Sequence, residues 1–404
     1  MTRSARITAV EVDELRGAAP PSSGRMQQQV RPLDAYRRPG EASIAPPAAG
    51  ELRHLYLTIR TDAGVQGLYG PIDSSAAWVI VDQLADFLIG RDGLAGSVIW
   101  DQLYRLDRHS RHGHFKMAIS AVDNALWDLR GRVFEAPVHQ LLGGPSRSQL
   151  RAYASTLGTR HDDEEIAALI ERLAREGYRH QKWFFAFGPA DGAEGMKRNL
   201  AMTETVRTSA GDDIALMFDA FMGWDLAYAR AWARQAERFA PTWLEEPFSP
   251  TQFDAFRMLR QSTEVPISAG EHLYDRADVL PYLREGILSV LQADPEWCGG
   301  VTELTRICAL AETFGIPVIP HGHGLHAAIH VIASQSPATC PLVEYLIHGM
   351  PRRHHFEVDP PRPVDGSFPV PSLPGFGIRL DEGKIESRRR WPYGASEGGA
   401  EGPR

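Results

Sequence analysis

The sequence predicts an α/β fold: a modified (β/α)8, TIM-type barrel in its (β/α)7β form, with an α+β capping domain built from the N-terminus and a C-terminal return. Two observations predict the barrel and a third predicts the cap. Beyond residue 150, eight short β-type runs recur, each followed by a helical segment; intervals of roughly 25 residues are what one strand plus one crossover helix require. Eight such units within about 200 residues favour a closed parallel barrel over an open doubly wound sheet. Before residue 145 the order is instead strands and then a helical run, the pattern of an α+β unit.

The elements follow in chain order. Residues 1–17 and 52–62 (LRHLYLTIRTD) alternate apolar and polar side chains as half-buried strands do, and Ala63-Gly64 supplies a turn. Between them, residues 18–50 are rich in Pro, Gly, Ser and Gln and carry Arg25, Arg31, Arg37 and Arg38. This reads as a long loop with anion-binding candidates, of which Arg37 is taken as a substrate contact; for any one arginine the plain alternative is a solvated charge. Apolar residues recur at helical spacing over 74–89 and again over 114–134, and APVHQLLGGP at 136–145 carries chain breakers. The expected division is therefore a cap over 1–145, a barrel over 146–355, a Pro-rich segment over 356–395 that returns to the cap, and a tail over 396–404.

The barrel runs are RAYAST (151–156), QKWFFAF (181–187), IALMFDAF (214–221), TWLEEP (242–247), VPISAGE (265–271), LSVLQADP (288–295), IPVIPHG (316–322) and PLVEYL (341–346). The helices between them have recognisable ends. Asp162 and Asp163 open one that closes at Gly177, Asp225 precedes LAYARAWARQAERF, and Gly315 follows TELTRICALAETF. The eighth helix is the least visible, which gives the (β/α)7β form.

In such a barrel the active site forms at the C-terminal ends of the strands, so the ionisable residue ending each run is informative. Lys182 lies in the second run, Asp219 ends the third, Glu245 the fourth beside Glu246, Glu271 the fifth, Asp294 the sixth, His321 the seventh and Glu344 the eighth. Asp219, Glu245 and Glu271 are spaced by 26 residues and again by 26, which predicts three carboxylates at one height on adjacent strands. A single strand-end carboxylate is more often a helix cap or a surface ion pair. Three in register inside apolar strands would repel each other unless a cation sat among them. Hard oxygen ligands fit Mg2+ better than zinc or copper, so one Mg2+ per subunit is expected. Asp294 can accept an imidazole N–H from His321 and leave the other ring nitrogen facing the centre, the arrangement of a general base. His323, His326 and His330 lie close by in sequence, and His321 is singled out by its register with the carboxylates. His272, beside Glu271, and Tyr274 are candidate substrate contacts.

These residues resemble the enolase superfamily, mandelate racemase subgroup. Asp219, Glu245 and Glu271 stand where that family has its metal ligands, and Asp294 and His321 where it has its His–Asp dyad. The run WLEEP, the helix AISAVDNALWDLRGRVFEAPVHQLLGG (118–144), the CGG at 298–300 and VDGSFPVPSLPGFGIRLDEGKI (364–385) are similar too. KWFFAFGP (182–189), GEH (270–272), EWCGG (296–300) and PHG (320–322) are most similar to rhamnonate dehydratase-like acid-sugar dehydratases. The resemblance implies removal of the proton α to a sugar-acid carboxylate, an enediolate stabilised by Mg2+, and loss of the β-hydroxyl to give a 2-keto-3-deoxy acid. It implies His321 as base or acid, Lys182 balancing carboxylate charge, and Glu344, if protonated, donating a hydrogen bond. The subgroup's racemases carry a Lys-x-Lys pair on strand two; here the second lysine position is Phe184, which takes no proton. One-base isomerisation, by an epimerase or lactone cycloisomerase, is the alternative chemistry, and a non-catalytic sugar-acid-binding barrel is the alternative outside enzymes. The family also suggests an even-numbered homo-oligomer.

Composition agrees with a small-molecule enzyme. The 404 residues include 43 Lys+Arg and 51 Asp+Glu, a net charge of −8, with 43% hydrophobic and 23% charged residues. No general attraction to nucleic acid or to anionic membranes follows from that balance. The first residues lack the apolar core of a secretory signal, which makes the cytoplasm the expected compartment. Cys298, Cys308 and Cys340 are odd in number and lie in apolar stretches, as reduced buried thiols do.

Overall fold

The structure is a computed structural model and describes residues 4–20, 26–36, 44–45 and 50–392. Ile7–Ala18 and Glu51–Thr61 form a long antiparallel pair, extended on one side by Gln66–Ile72 and on the other by Ser387–Trp391. The last of these is the C-terminal return, and its pairing with the first strand builds the cap from both ends of the chain, as expected. The run over 74–89 is helical throughout but passes through a π turn at Ile80–Leu84. Gln66–Ile72, and the helix Gly96–Leu106 that precedes the cap's main helix, were not read from the sequence.

That main helix, Gly113–Val133, buries Ala118, Val122, Ala125, Leu126 and Leu129 against the sheet, a stripe at three- and four-residue spacing. Its polar positions face inward as well. Asp128 accepts the Leu68 amide at 2.8 Å, the Arg132 Nε–H at 2.6 Å and the Phe376 amide at 2.8 Å, so one buried carboxylate joins strand, helix and C-terminal return. Asp123 accepts both the amide and the hydroxyl of Thr302, at 2.9 and 2.7 Å, and Asn124 Oδ1 accepts the Val301 amide at 3.0 Å. The cap is thereby bonded to the start of a barrel helix. Gly300 is glycine for this reason: its φ is +81°, and a Cβ would come within 2.3 Å of Asp123 Oδ2.

The parallel barrel strands are Gln149–Ser155, His180–Phe184, Ala215–Asp219, Trp243–Glu245, Ile267–Ala269, Val290–Leu291 and, beside the first, Val343–Leu346. The seventh run, IPVIPHG, is too proline-rich to hold a full ladder. It is joined to the sixth strand by a bridge at Val318, with Ile319 N–H donating to Leu291 O at 2.8 Å, and toward the eighth by Val318 N–H donating to Thr339 O at 2.7 Å. Tyr153, Met217, Trp243, Val290, Ile319 and Leu342 fill the barrel's interior as a buried cluster.

Helices follow each of the first seven runs, and Asp162 and Asp225 cap theirs by accepting the amides of Glu165 and Tyr228. After the eighth run comes a four-residue turn of helix, Met350–Arg353, so the form is (β/α)7β. Cys298, Cys308 and Cys340 are buried. Among the described residues, no helix is long and apolar enough to cross a membrane.

Candidate active site

Asp219 and Glu245 are direct neighbours in the parallel ladder, and Phe184 lies beside Asp219 on the other side. The expectation of three carboxylates at one height holds for these two. Glu245 is level with Ser268, not with Glu271, which lies three residues further on, past the end of its strand. Equal sequence spacing does not mean equal height when the crossovers differ in length. The correction lies in the turn: Gly270 has φ +135°, a conformation closed to other residues, and its Cα sits so near Leu291 that a Cβ would come within 2.6 Å of that side chain. Glu271 nonetheless acts on Asp219, since its charge is among those that raise the Asp219 pKa.

Lys182, fully buried on the second barrel strand, is the cation these groups share. Its ammonium pairs with Glu245, stands 2.8 Å from Glu344 and 3.4 Å from Asp219. Burial alone would lower its pKa, but Glu245 and Glu344 outweigh that and hold it well above the ordinary value. Glu344 is correspondingly ionised: against the upward push of burial, Lys182 and then His321 bring its pKa down to about 2. The resemblance gives Glu344 a donor role only if it is protonated. It accepts, taking the Gly322 amide on Oε2 at 2.8 Å.

One lysine does not balance this many carboxylates. Asp219 is pushed well above the carboxylate range by burial and then by repulsion from Glu245. That is the strain a divalent cation relieves, and the all-oxygen donor set of Asp219, Glu245 and Glu271 fits Mg2+. Glu245 already has both oxygens engaged, Oε1 by Lys182 and Oε2 by Trp243 Nε1 at 2.9 Å and Gln292 Nε2 at 2.8 Å. Glu246, whose φ is +36°, reaches the same region: one ligand atom each from Glu246, Glu271 and His272 lie within 4.8 Å of one another, and Glu246 Oε1 is buried without a hydrogen-bond partner among the described residues.

At the opposite wall, His321 Nδ1 is 2.8 Å from Asp294 Oδ2, and His321 Nε2 is 3.3 Å from Glu271 Oε2. Asp294 is fully buried and His321 nearly so. Burial would lower the imidazole pKa, but Glu271 and the Asp294 hydrogen bond dominate and raise it to about 10. His272 Nδ1 is 2.9 Å from Glu246, which lifts it to about 8 against its own desolvation. Tyr274 packs edge-on to His112 of the cap, ring centroids 5.9 Å apart.

Arg37, Arg25 and Arg38 lie outside the described residues. Arg31 is described, with its guanidinium 3.3 Å from Asp34, and Val30 beside it donates to Phe185 O at 2.7 Å, which lays this part of the 18–50 loop on the end of the second strand.

Sequence reasoning missed four residues here. Glu296 receives Arg353 Nη2 at 2.6 Å, His323 Nδ1 at 2.7 Å and the Tyr69 hydroxyl at 3.0 Å. Trp297 packs against His272, His321 and His323, with ring centroids 5.4, 5.0 and 5.2 Å away. Arg353 and Tyr69 come from distant parts of the chain and left no local signal. Glu296 did leave one: it precedes His323 by the same 27 residues that separate Asp294 from His321.

A seven-helix barrel with a two-ended cap thus carries buried carboxylates at its mouth and a carboxylate-held imidazole facing them, the architecture of an enolase-type enzyme. Residues 30–143 match the model of the mandelate racemase / muconate lactonizing enzyme N-terminal domain, and residues 165–384 match the enolase C-terminal domain-like model. The chain belongs to the mandelate racemase / muconate lactonizing enzyme family of the enolase superfamily. It is 35% identical over 327 residues to the L-rhamnonate dehydratase of Saccharopolyspora erythraea, covering 78% of this chain and 79% of that one. The rhamnonate dehydratase of Gibberella zeae, solved in complex with Mg, shares the fold at a TM-score of 0.81 and 24% identity, over 95% of this chain and 96% of that one. The 3,6-anhydro-D-galactonate cycloisomerase of Zobellia galactanivorans superposes at a TM-score of 0.75 with 25% identity, over 95% and 100% of the two chains.

Proposed function

We propose that this protein is a Mg2+-dependent acid-sugar dehydratase that converts an aldonic or aldaric acid into a 2-keto-3-deoxy acid. The observation that carries the reading is the Asp294–His321 pair held 3.3 Å from Glu271, with Lys182 among the carboxylates. The relative with 35% identity, named as an L-rhamnonate dehydratase, supports the reaction type.

The residues divide the work as follows. Asp219, Glu245 and Glu271 would hold the cation, which when bound supplies positive charge to the substrate carboxylate as electron density builds on it. Lys182 adds a fixed positive charge in the same water-poor site, where it acts more strongly than in solution. Asp294 accepts the Nδ1–H of His321, which fixes the tautomer and makes Nε2 the reacting atom. His321 Nε2 takes the proton α to the carboxylate and hands it to the β-hydroxyl on the same face of the substrate, the β C–O bond breaks and water leaves, and the resulting enol tautomerises to the ketone. Phe184, where racemases of the family have a second lysine, offers no second base on that side.

The test is to incubate the purified protein with Mg2+ and a panel of pentonic, hexonic and aldaric acids and to assay 2-keto acid as the semicarbazone, with an EDTA control. A metal-dependent 2-keto product is expected. Conversion of an acid into an isomer with no 2-keto product overturns dehydration in favour of one-base isomerisation.

A further inference from the structure

The His321–Asp294 pair has a near copy beside it. His323 and Glu296 repeat it two residues on at each partner, each imidazole meeting a carboxylate through Nδ1, at 2.8 Å in one pair and 2.7 Å in the other. The two imidazoles are nearly parallel, 8° apart in plane, with centroids separated by 6.3 Å, and both pack on Trp297. The second pair is also the more open, its histidine side chain 23% exposed against 12% for His321.

Glu296 is held more firmly than a surface partner would need to be. Three donors converge on it from three parts of the chain: His323 after the seventh barrel run, Arg353 after the eighth and Tyr69 in the cap. Burial alone would raise the Glu296 pKa, but Arg353 and His323 outweigh it and lower it to about 2. Arg353 also donates to the His323 carbonyl at 3.1 Å and to Pro71 O at 2.8 Å, which fixes the backbone that carries the ring. The result is an imidazole locked through one nitrogen, while the other, Nε2, has no partner among the described residues. Nearby, the indole N–H of Trp297 is buried and also unmatched among the described residues.

We propose that His323 is a specificity-determining residue, whose Nε2 hydrogen-bonds a hydroxyl of the substrate chain beyond the carbons that react at His321. This rests on the acid-sugar reading above. Glu296 orients the ring by accepting its Nδ1–H, which leaves Nε2 as the ring atom that meets a substrate hydroxyl. The carboxylate end of the substrate lies toward Lys182 and its α and β carbons toward His321, so the remaining chain is what reaches an imidazole one ring-spacing further out.

The experiment compares kcat/KM for the best acid of the panel with that for its chain-shortened analogue lacking the distal hydroxyls, in wild type, His323→Phe and His323→Gln. His323→Phe is expected to lower kcat/KM at least tenfold for the full-length acid and to leave the shortened acid within about twofold. His323→Gln keeps an acceptor and is expected to recover part of the loss. Thermal melting of both variants checks that the site is folded. An equal loss on both acids, or no loss on either, overturns the assignment while leaving dehydration intact. Failure of the wild type to convert any acid overturns the dehydratase reading, and this inference with it.

Discussion

Lys182 and Glu344 meet at 2.8 Å from the two barrel strands that flank the first, both side chains out of contact with water. Lys182→Met would leave Glu344, Glu245 and Asp219 buried without their shared cation, a change that costs about 3–5 kcal/mol in buried ion pairs. We expect a large drop in unfolding free energy in EDTA. The double variant Lys182→Met/Glu344→Gln should be less destabilised than Lys182→Met alone, a coupling that chemical denaturation measures directly.

His321→Asn should lower turnover by about 10²–10⁴-fold, the range that a positioned acid or base contributes. Asp294→Asn should also impair turnover, because an amide no longer selects the tautomer that presents Nε2. Both variants should bind Mg2+ like wild type in calorimetric titration. Full activity in His321→Asn would contradict its assigned role.

Glu245→Gln should weaken Mg2+ binding and activity together, with activity recovering as Mg2+ is raised. Its oxygens are tied to Lys182, Trp243 and Gln292, so the substitution also disturbs that network. A Mg2+ titration curve identical to wild type would rule Glu245 out as a ligand and direct attention to Glu246.

His54 makes the fold sensitive to mild acid. Its ring packs edge-on to Phe356, its Nδ1 is buried without a partner among the described residues, and burial lowers its pKa to about 4. The unfolded chain binds this proton near pH 6.5 and the folded one only near pH 4, so the stability contribution is complete above pH 6.5 and is lost as pH falls between those values. The full swing is roughly 3 kcal/mol. His54→Leu should flatten the decline in unfolding free energy across that window and leave the rest of the pH profile unchanged.

Much of the barrel was legible because its signals are local. Short apolar runs, capping aspartates and a fixed interval write one strand and one helix at a time, and Asp162 and Asp225 cap helices as read. The seventh run shows the limit, since its prolines leave a bridge where the apolar pattern suggests a strand. At the site, residues ending strands were visible because position in a strand is local too. The level of Glu271 was not, because it depends on the turn at Gly270. Nor were Arg353 and Tyr69, which reach Glu296 across 57 and 227 residues of sequence.

The pairing of the last strand with the first has a consequence for biosynthesis. Ser387–Trp391 occupies the outer edge of the cap sheet, beside Ile7–Ala18. A nascent chain therefore makes its whole barrel while one side of its opening strand is still unzipped, a template for aggregation until the final segment leaves the ribosome. The strand that closes it is SRRRW, and Arg390 bonds Glu11 and Asp13 at 2.8 and 3.0 Å. The late arrival thus brings its own sentries, three consecutive arginines that discourage a second molecule from adding to the border it has just sealed.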